Sequence, residues 1–451
     1  MVYNILIGAI ILFVFQLVHI HKRKQKHPVN LHLHAFILFT LAVVVYIYSY
    51  TFTPTHFPAT EDDGSFYNRA GMIFSANLKK GNISFDAPLD YELSNIISNQ
   101  SGGYSQKDFL QSITDTTAVI YTIFIGLVYT LLGYNPFCIR IFNIIFFQLA
   151  FLEFSKIIDS FEINNDTKKM CKRCFLYFPM FMFYSVTMAK EAFVWCFSFA
   201  LLADVILKRK AYLYLIHASM LLLSRFYCVV LILFPFFVEK ISIKRLLNIK
   251  ILTAFIIFIL IFWNNRFFGG YSLKYILFEM YIPFKYNQDG SQYVVYQGII
   301  SGLSDILTQP LEIIKAFIRG VTDMFLNPKF WKIVIFPWGD ADFIINIFAR
   351  STSWFIWFFL MLLFPYIPSI LKHPGKYKYF NILFIIVILF AGIHPHTRYT
   401  YPFIAMLLVF IAYAKQTIYI PYFYRQNAYL LFIAISCSLV VVDYVFIGKT
   451  I

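Results

Sequence analysis

Residues 61–71 read EDDGSFYNRAG, three adjacent acids in a chain with only 23 aspartates and glutamates among its 451 residues. A carboxylate such as Asp62 or Asp63 can serve as a general base, taking or orienting the proton of an acceptor hydroxyl. Three ionisable features stand far away in sequence: Lys190 beside Glu191, Arg225 alone between two apolar runs, and His394-Pro-His396-Thr-Arg398. Cations hold phosphate, arginine through a planar fork. Fixed positive charge also favours a phosphate that departs as an anion. Acids combined with several cations therefore suit a lipid-phosphate-linked sugar and a hydroxylic acceptor. Each feature has a plainer reading too. Acids in an external loop are usually solvated surface, and Lys190–Glu191 is also what an ordinary helix turn looks like. Arg225 has few structural excuses. His394 and His396 could form a metal pair, but no carboxylate neighbours them, which favours a phosphate contact or loop polarity.

The elements that must position these groups are membrane helices. The chain is 60% hydrophobic and 14% charged, with a mean hydropathy of +0.68, whereas a soluble domain is nearer a quarter charged. Apolar runs recur from end to end, so residues 1–451 read as a single integral membrane domain, all-α and polytopic. A net charge of +15 would suggest nucleic acid in a soluble protein. Here the lysines and arginines sit in short clusters between apolar runs, as cytoplasmic loops do, and no nucleic acid is expected. The first run, Val2 to Ile20, is followed by HKRKQKH rather than a small-residue cleavage site, so no cleaved signal is read. Cys171 and Cys174 form a CxxC around Lys172 and Arg173. With no second pair to complete a zinc site, it reads as a basic loop.

The basic clusters set a topology. Lys22, Arg23, Lys24 and Lys26 place the first loop inside, and a span over about 31–52 carries the chain out. Residues 53–115 are then a first external loop with the acids at its start. Lys156, Lys168, Lys169, Lys172 and Arg173 belong inside. Of the two apolar stretches before them, 141–158 crosses and 117–134 lies in the interface, which leaves Arg140 at the outer face. Residues 174–189 and 192–207 read as a hairpin turning at Lys190–Glu191. Arms of 16 residues reach about 24 Å against a hydrocarbon core of about 30 Å, so the turn is recessed. Residues 211–238 read as a second hairpin around Arg225. Further spans fall near 246–264, 343–368, 380–393, 399–414 and 428–447, and 265–340 forms a second external region with interfacial pieces such as Pro310 to Phe325. The whole comes to about 11 transmembrane helices, short hairpins included. It puts the acids, Lys190–Glu191, Arg225 and His394–Arg398 on one face.

In this order and sidedness the motifs resemble the GT-C superfamily of membrane glycosyltransferases, which use polyprenyl-phosphate sugars on the outer face. That family's acidic pair or single aspartate is followed by Tyr and Ala; here Asp62–Asp63 precedes Tyr67 and Ala70. AVIYTIFIGLVYTLLGYNPFCIRIFN (118–143) is similar to its interfacial helix, glycine turn and span-opening arginine, through Gly133 and Arg140. FPMFMFYSVTMAKEAFVW (178–195) looks like its proline, serine and helix-opening glutamate, through Pro179, Ser185 and Glu191. LSRFYCVV (223–230) looks like its arginine hairpin, and HTRYTYPFIAML (396–407) like its late Arg-Tyr-x-x-Pro entry to a span, through Arg398, Tyr399 and Pro402. There are departures: an extra span precedes the acidic loop, no large soluble C-terminal domain is read, and EDD stands where Asp-Glu is commoner. The spacing to Tyr67 favours Asp63 as the base; first place in the pair favours Asp62.

The resemblance implies an inverting transfer in which the acceptor hydroxyl attacks the anomeric carbon and lipid phosphate leaves. Asp62 and Asp63 would be catalytic. Arg225, Arg398, Lys190 and Arg140 would hold the donor phosphate, with Glu61, Tyr67, Arg69, Glu191, His394, His396 and Tyr399 binding or supporting substrate. No cofactor is required, although a divalent cation, magnesium or manganese, could sit near the acids. The implied partners are a polyprenyl-phosphate sugar, a glycan or lipid-linked acceptor, and membrane lipids. The implied place is a bacterial inner membrane, with the site facing the periplasm or cell exterior and the product a surface polysaccharide such as O-antigen, lipopolysaccharide or capsule. Two rivals share the general features. A repeat-unit polymerase of O-antigen or capsule type would take a lipid-diphosphate oligosaccharide. A lipid-linked sugar flippase or transporter would prefer internal repeats and ionisable groups near the midplane, and no repeat is evident.

Overall fold

The computed structural model describes residues 1–20, 30–52, 62–83, 119–240, 284–286, 293–295, 343–372, 408 and 411–442. Regular structure there is helical, apart from one antiparallel pair of three-residue strands, β1 (Phe284–Tyr286) and β2 (Tyr293–Val295). The helices are α1 (Val2–Phe15, running on into a π turn, Gln16–Ile20), α2 (Leu31–Phe52), α3 (Asp62–Lys79), α4 (Val119–Leu132), α5 (Pro136–Ser160), α6 (Asn165–Leu176), α7 (Pro179–Ser185), α8 (Glu191–Leu207), α9 (Ala211–Lys240), α10 (Phe343–Leu363), α11 (Ile367–Lys372) and α12 (Tyr422–Val442).

Among the described residues three helices are long and apolar enough to cross a membrane: Leu31–Phe52, Pro136–Ser160 and Phe343–Ile370. All three coincide with runs read as spans in the sequence. They differ in surroundings. The apolar window of α5 is 78% buried inside the protein, against 44% for α2 and 39% for Phe343–Ile370. α5 is therefore the central post, packed by α1, α2, α6, α7 and α8. It starts where Asn135 accepts the Cys138 N–H (3.2 Å) just ahead of Pro136, a side-chain cap followed by a residue whose missing N–H costs nothing in the first turn. Polar pairs fasten α1 and α2 to α5 at one end. Gln16 Nε2 donates to Gln148 Oε1 (2.6 Å), and Gln148 Nε2 donates to the Leu31 carbonyl (3.3 Å). Such pairs act as glue between helices where lipid removes the hydrophobic drive.

α4 has 14 residues, about 21 Å, which is too short to cross alone. It ends at Gly133, whose positive φ of 76° favours glycine. On it lies α3, in a stretch read from sequence as a loop. The Tyr67–Ala70–Phe74 spacing makes it a helix with a buried stripe. The two helices touch at Gly71 and Gly126. A Cβ at Gly71 would come within 2.4 Å of Ile125 Cγ2, and one at Gly126 within 3.1 Å of the Gly71 carbonyl oxygen. Small residues let the backbones approach this closely.

Three other expectations are corrected. The arm 174–189 is not one helix. α6 ends at Leu176 because Pro179 holds Phe178 extended (ψ 118°) and supplies no N–H of its own. α7 then has only seven residues, and 186–190 leaves the helix. The CxxC is not in a loop: it lies in α6, capped by Asn164, which accepts the Thr167 N–H (2.8 Å). Burial pushes the Cys171 thiol up to about 12, away from the thiolate that a metal needs. Last, 211–238 is one run of helix broken at Arg225, whose φ of −159° and ψ of 84° are extended. The expected span 246–264 lies outside the described residues, as do 380–393 and most of 265–340.

The glycine crossing generates a test. Gly71→Leu should overpack the α3–α4 contact and lower stability by about 1–3 kcal/mol, read as a lower thermal midpoint of the purified protein in detergent. An unchanged midpoint would show that α3 is not held by this crossing.

Candidate functional site

The segment Val186–Lys190 connects α7 to α8 and is buried although not helical. Its carbonyls therefore need donors from elsewhere. α5 and α4 provide them. Arg140 Nη1 donates to the Val186 carbonyl (3.0 Å), and Asn143 Nδ2 donates to the Thr187 (2.7 Å) and Ala189 (2.9 Å) carbonyls. The Tyr121 hydroxyl donates to the Met188 carbonyl (3.0 Å) and accepts from Asn143 Nδ2 (3.0 Å). This lattice delivers Lys190 and Glu191 at the start of α8.

Glu191 and Arg225 meet there. Arg225 Nη2 donates to Glu191 Oε1 at 2.9 Å, with both side chains at most 5% exposed. The extended backbone at Arg225 separates two helical segments at this contact, and Ser224 Oγ takes up the Met220 carbonyl (2.7 Å) beside it. The Lys190 ammonium lies 5.5 Å from the centre of the Tyr67 ring, within cation–π range. Tyr67 also meets Tyr121 edge-on, with ring centres 5.4 Å apart. α3 is tied down next to Tyr67 by Asn68, whose Nδ2 donates to the Tyr134 hydroxyl (3.2 Å) and whose Oδ1 accepts from the Tyr129 hydroxyl (2.5 Å).

The expected site residues separate as follows. Tyr67, Lys190, Glu191 and Arg225 come together. Asp62 and Asp63 are the first two residues of α3, where carboxylates also complement the helix dipole. The register divides them. Asp63 shares a stripe with Tyr67 and Ala70, both buried, while Asp62 shares one with Phe66 and Arg69, both half-buried. Arg140 was expected to hold phosphate. It is fully buried, donates to a backbone carbonyl and stands 5.9 Å from the centre of the Tyr46 ring, which makes it a brace for 186–190. Glu61, His394, His396, Arg398 and Tyr399 lie outside the described residues. Asn143 and Tyr121 carry no signal in one sequence, because an Asn or Tyr in an apolar run has many structural uses. Arg350 does carry one: it is the single cation within the apolar run 343–368.

Breaking one side of a buried ion pair leaves an uncompensated charge, whereas replacing both sides with apolar residues is often neutral. Arg225→Ala should therefore cost about 3–5 kcal/mol, and the pair Glu191→Leu/Arg225→Met should recover most of the thermal midpoint. Additive losses in that pair would show that the two residues are not one unit. Set against family models, curated proteins and solved structures, the chain matches none of them.

Proposed function

We propose that the chain is a membrane glycosyltransferase of GT-C-like architecture, transferring a sugar from a polyprenyl-phosphate donor to a glycan or lipid-linked acceptor in cell-surface polysaccharide assembly. One observation carries the reading: the helix that opens with Asp62–Asp63 is seated, through Tyr67, under Lys190 and next to the Glu191–Arg225 pair. A helix that opens with two acids thus packs, through Tyr67, against Lys190, although the two segments are over a hundred residues apart in sequence. In the proposed reaction Asp63, in helical register with Tyr67 on α3, takes the acceptor proton. Lys190 offsets the charge of the departing lipid phosphate. Arg225, already engaged by Glu191, orients that region. Arg398 remains the second candidate phosphate contact, and no cofactor is required.

The proposed orientation is supported by charge. Lys156, Lys172 and Arg209 cluster with Glu153, Asp159 and Asp204 at the end of the bundle away from Lys190, which fits a cytoplasmic face there and a periplasmic face at the site. With native cysteines replaced, Asn82→Cys should react with an impermeant maleimide from outside the inner membrane, and Lys168→Cys only after permeabilisation. The reverse pattern would place the site in the cytoplasm and end this reading.

Activity decides the chemistry. Asp63→Asn should lower transfer by about a hundredfold or more, with expression and thermal midpoint retained, and Asp62→Asn should lower it less. Full transfer in the double variant would remove the acids from the mechanism. Deletion of the gene should leave polysaccharide lacking one sugar. Loss of chain length with a single repeat retained would instead indicate the polymerase. Movement of lipid-linked sugar without a new glycosidic bond would indicate the flippase.

A further inference from the structure

Arg350 stands about two turns into α10, within the apolar run Phe343–Ile370. Its Nε and Nη1 are buried, and among the described residues neither has a hydrogen-bond partner. The helix positions that could reach it, three and four residues away on either side, are Asn346, Ile347, Ser353 and Trp354, none of them acidic. The hydroxyls that follow it are turned back on the helix. Ser351, Thr352 and Ser353 donate to the carbonyls of Ile347 (2.7 Å), Phe348 (2.8 Å) and Ala349 (3.2 Å), and Thr352 Oγ1 also accepts the Met180 N–H (3.1 Å). The cluster at 350–353 thus supplies no counter-charge. A guanidinium at membrane depth is expensive unless an anion joins it.

Its place in the bundle limits what that anion can be. α10 runs antiparallel to α7: Phe355 meets Phe178, Thr352 meets Met180, and Phe348 meets Phe183 with ring centres 5.5 Å apart. α7 leads straight into Val186–Lys190, so Arg350 lies at the site's end of the bundle, within about two helical turns of Val186. Nε and Nη1 themselves are covered while the side chain as a whole is only half-buried, so an anion approaches from beside the helix and the guanidinium must turn outward to meet it. An apolar span gives access to groups carried by lipids more readily than to hydrated ions. We infer that Arg350 is a receptor for the phosphate of a membrane lipid, its planar donors meeting the phosphate oxygens. Identifying that lipid as the polyprenyl-phosphate donor rests on the proposed function; the anion site itself does not. A bulk anionic phospholipid offers the same phosphate.

The experiment measures thermal midpoints of the full chain in neutral detergent against four probes: a polyprenyl phosphate, the matching polyprenol, phosphatidylglycerol and inorganic phosphate. A phosphate-bearing lipid should raise the midpoint saturably and the polyprenol should not. Arg350→Gln should weaken the apparent affinity for that lipid about tenfold or more, and Arg350→Lys should fall between. Without lipid, Arg350→Gln should be at least as stable as the parent, because it removes an uncompensated charge. A response to polyprenyl phosphate alone assigns the donor, and an equal response to phosphatidylglycerol assigns a general headgroup; either supports the receptor. Equal affinity in Arg350→Gln and the parent overturns it. So does a large loss of lipid-free stability in Arg350→Gln, which would reveal an internal partner, and so does a response to inorganic phosphate that matches the lipids. None of these readouts uses glycosyl transfer, so failure of the proposed function would leave them standing.

Discussion

Everything at the candidate site depends on the need to satisfy four backbone carbonyls. Between Val186 and Ala189 the chain leaves the helix inside an apolar interior, where neither water nor a helical ladder can take up the C=O groups. Arg140, Asn143 and Tyr121 do so from two other helices. Each donor serves this segment directly or through another donor, so the segment, α4 and α5 hold one another in register. A half-satisfied network of this kind would be worse than none. Lys190 and Glu191 are consequently fixed by α4 and α5 as much as by the helix they begin.

The same α8 is pinned to α9 at both ends. Glu191 holds Arg225 near its start. Asp204 holds His217 Nδ1 (2.6 Å) and Arg209 Nη1 (3.3 Å) near its finish, and the Tyr214 hydroxyl donates to the Asp204 carbonyl (2.6 Å). Two buried carboxylates thus set the antiparallel pairing of α8 with α9. Buried ion pairs are weak devices for stability but good ones for register, since a slip would strand both charges. The break at Arg225 fits this view. A continuous helix would carry the guanidinium to a position set by helical register alone, whereas an extended residue lets it meet Glu191.

How much of this was legible in sequence depended on which signal was strongest locally. The spans at Leu31–Phe52 and Pro136–Ser160 were clear, because their apolar runs have the length of a bilayer and charge flanks them. Lys190–Glu191 stood out as a charged pair between apolar runs, and the pair is buried, although the arm before it is not the single helix that its length suggested. α3 was hidden because its first residues are acidic and its middle is mixed, so composition spoke for a loop while the spacing of Tyr67, Ala70 and Phe74 already spoke for a helix. The break after Leu176 was hidden by hydrophobicity that continues through it; Pro179 was the signal that outweighed it. The Arg140 contact with Val186 was not legible, because position in sequence places a cation at a helix opening without saying which carbonyl lies opposite.

The register of α3 sharpens what the acidic run could mean. In sequence Asp62 and Asp63 were nearly equivalent, with spacing favouring one and order the other. On a helix they lie about 100° apart, and the surroundings of their stripes differ. The stripe of Asp63 continues through Tyr67 and Ala70, next to the glycine crossing at Gly71 and Gly126, and so belongs to the most tightly held side of the helix. The stripe of Asp62 continues through half-buried Phe66 and Arg69. A general base has to keep its distance to the reacting hydroxyl within a fraction of an ångström, and that demand is met by the side of a helix that cannot roll. Under the proposed mechanism the packing of α3 on α4, rather than the acidity of the run, selects Asp63.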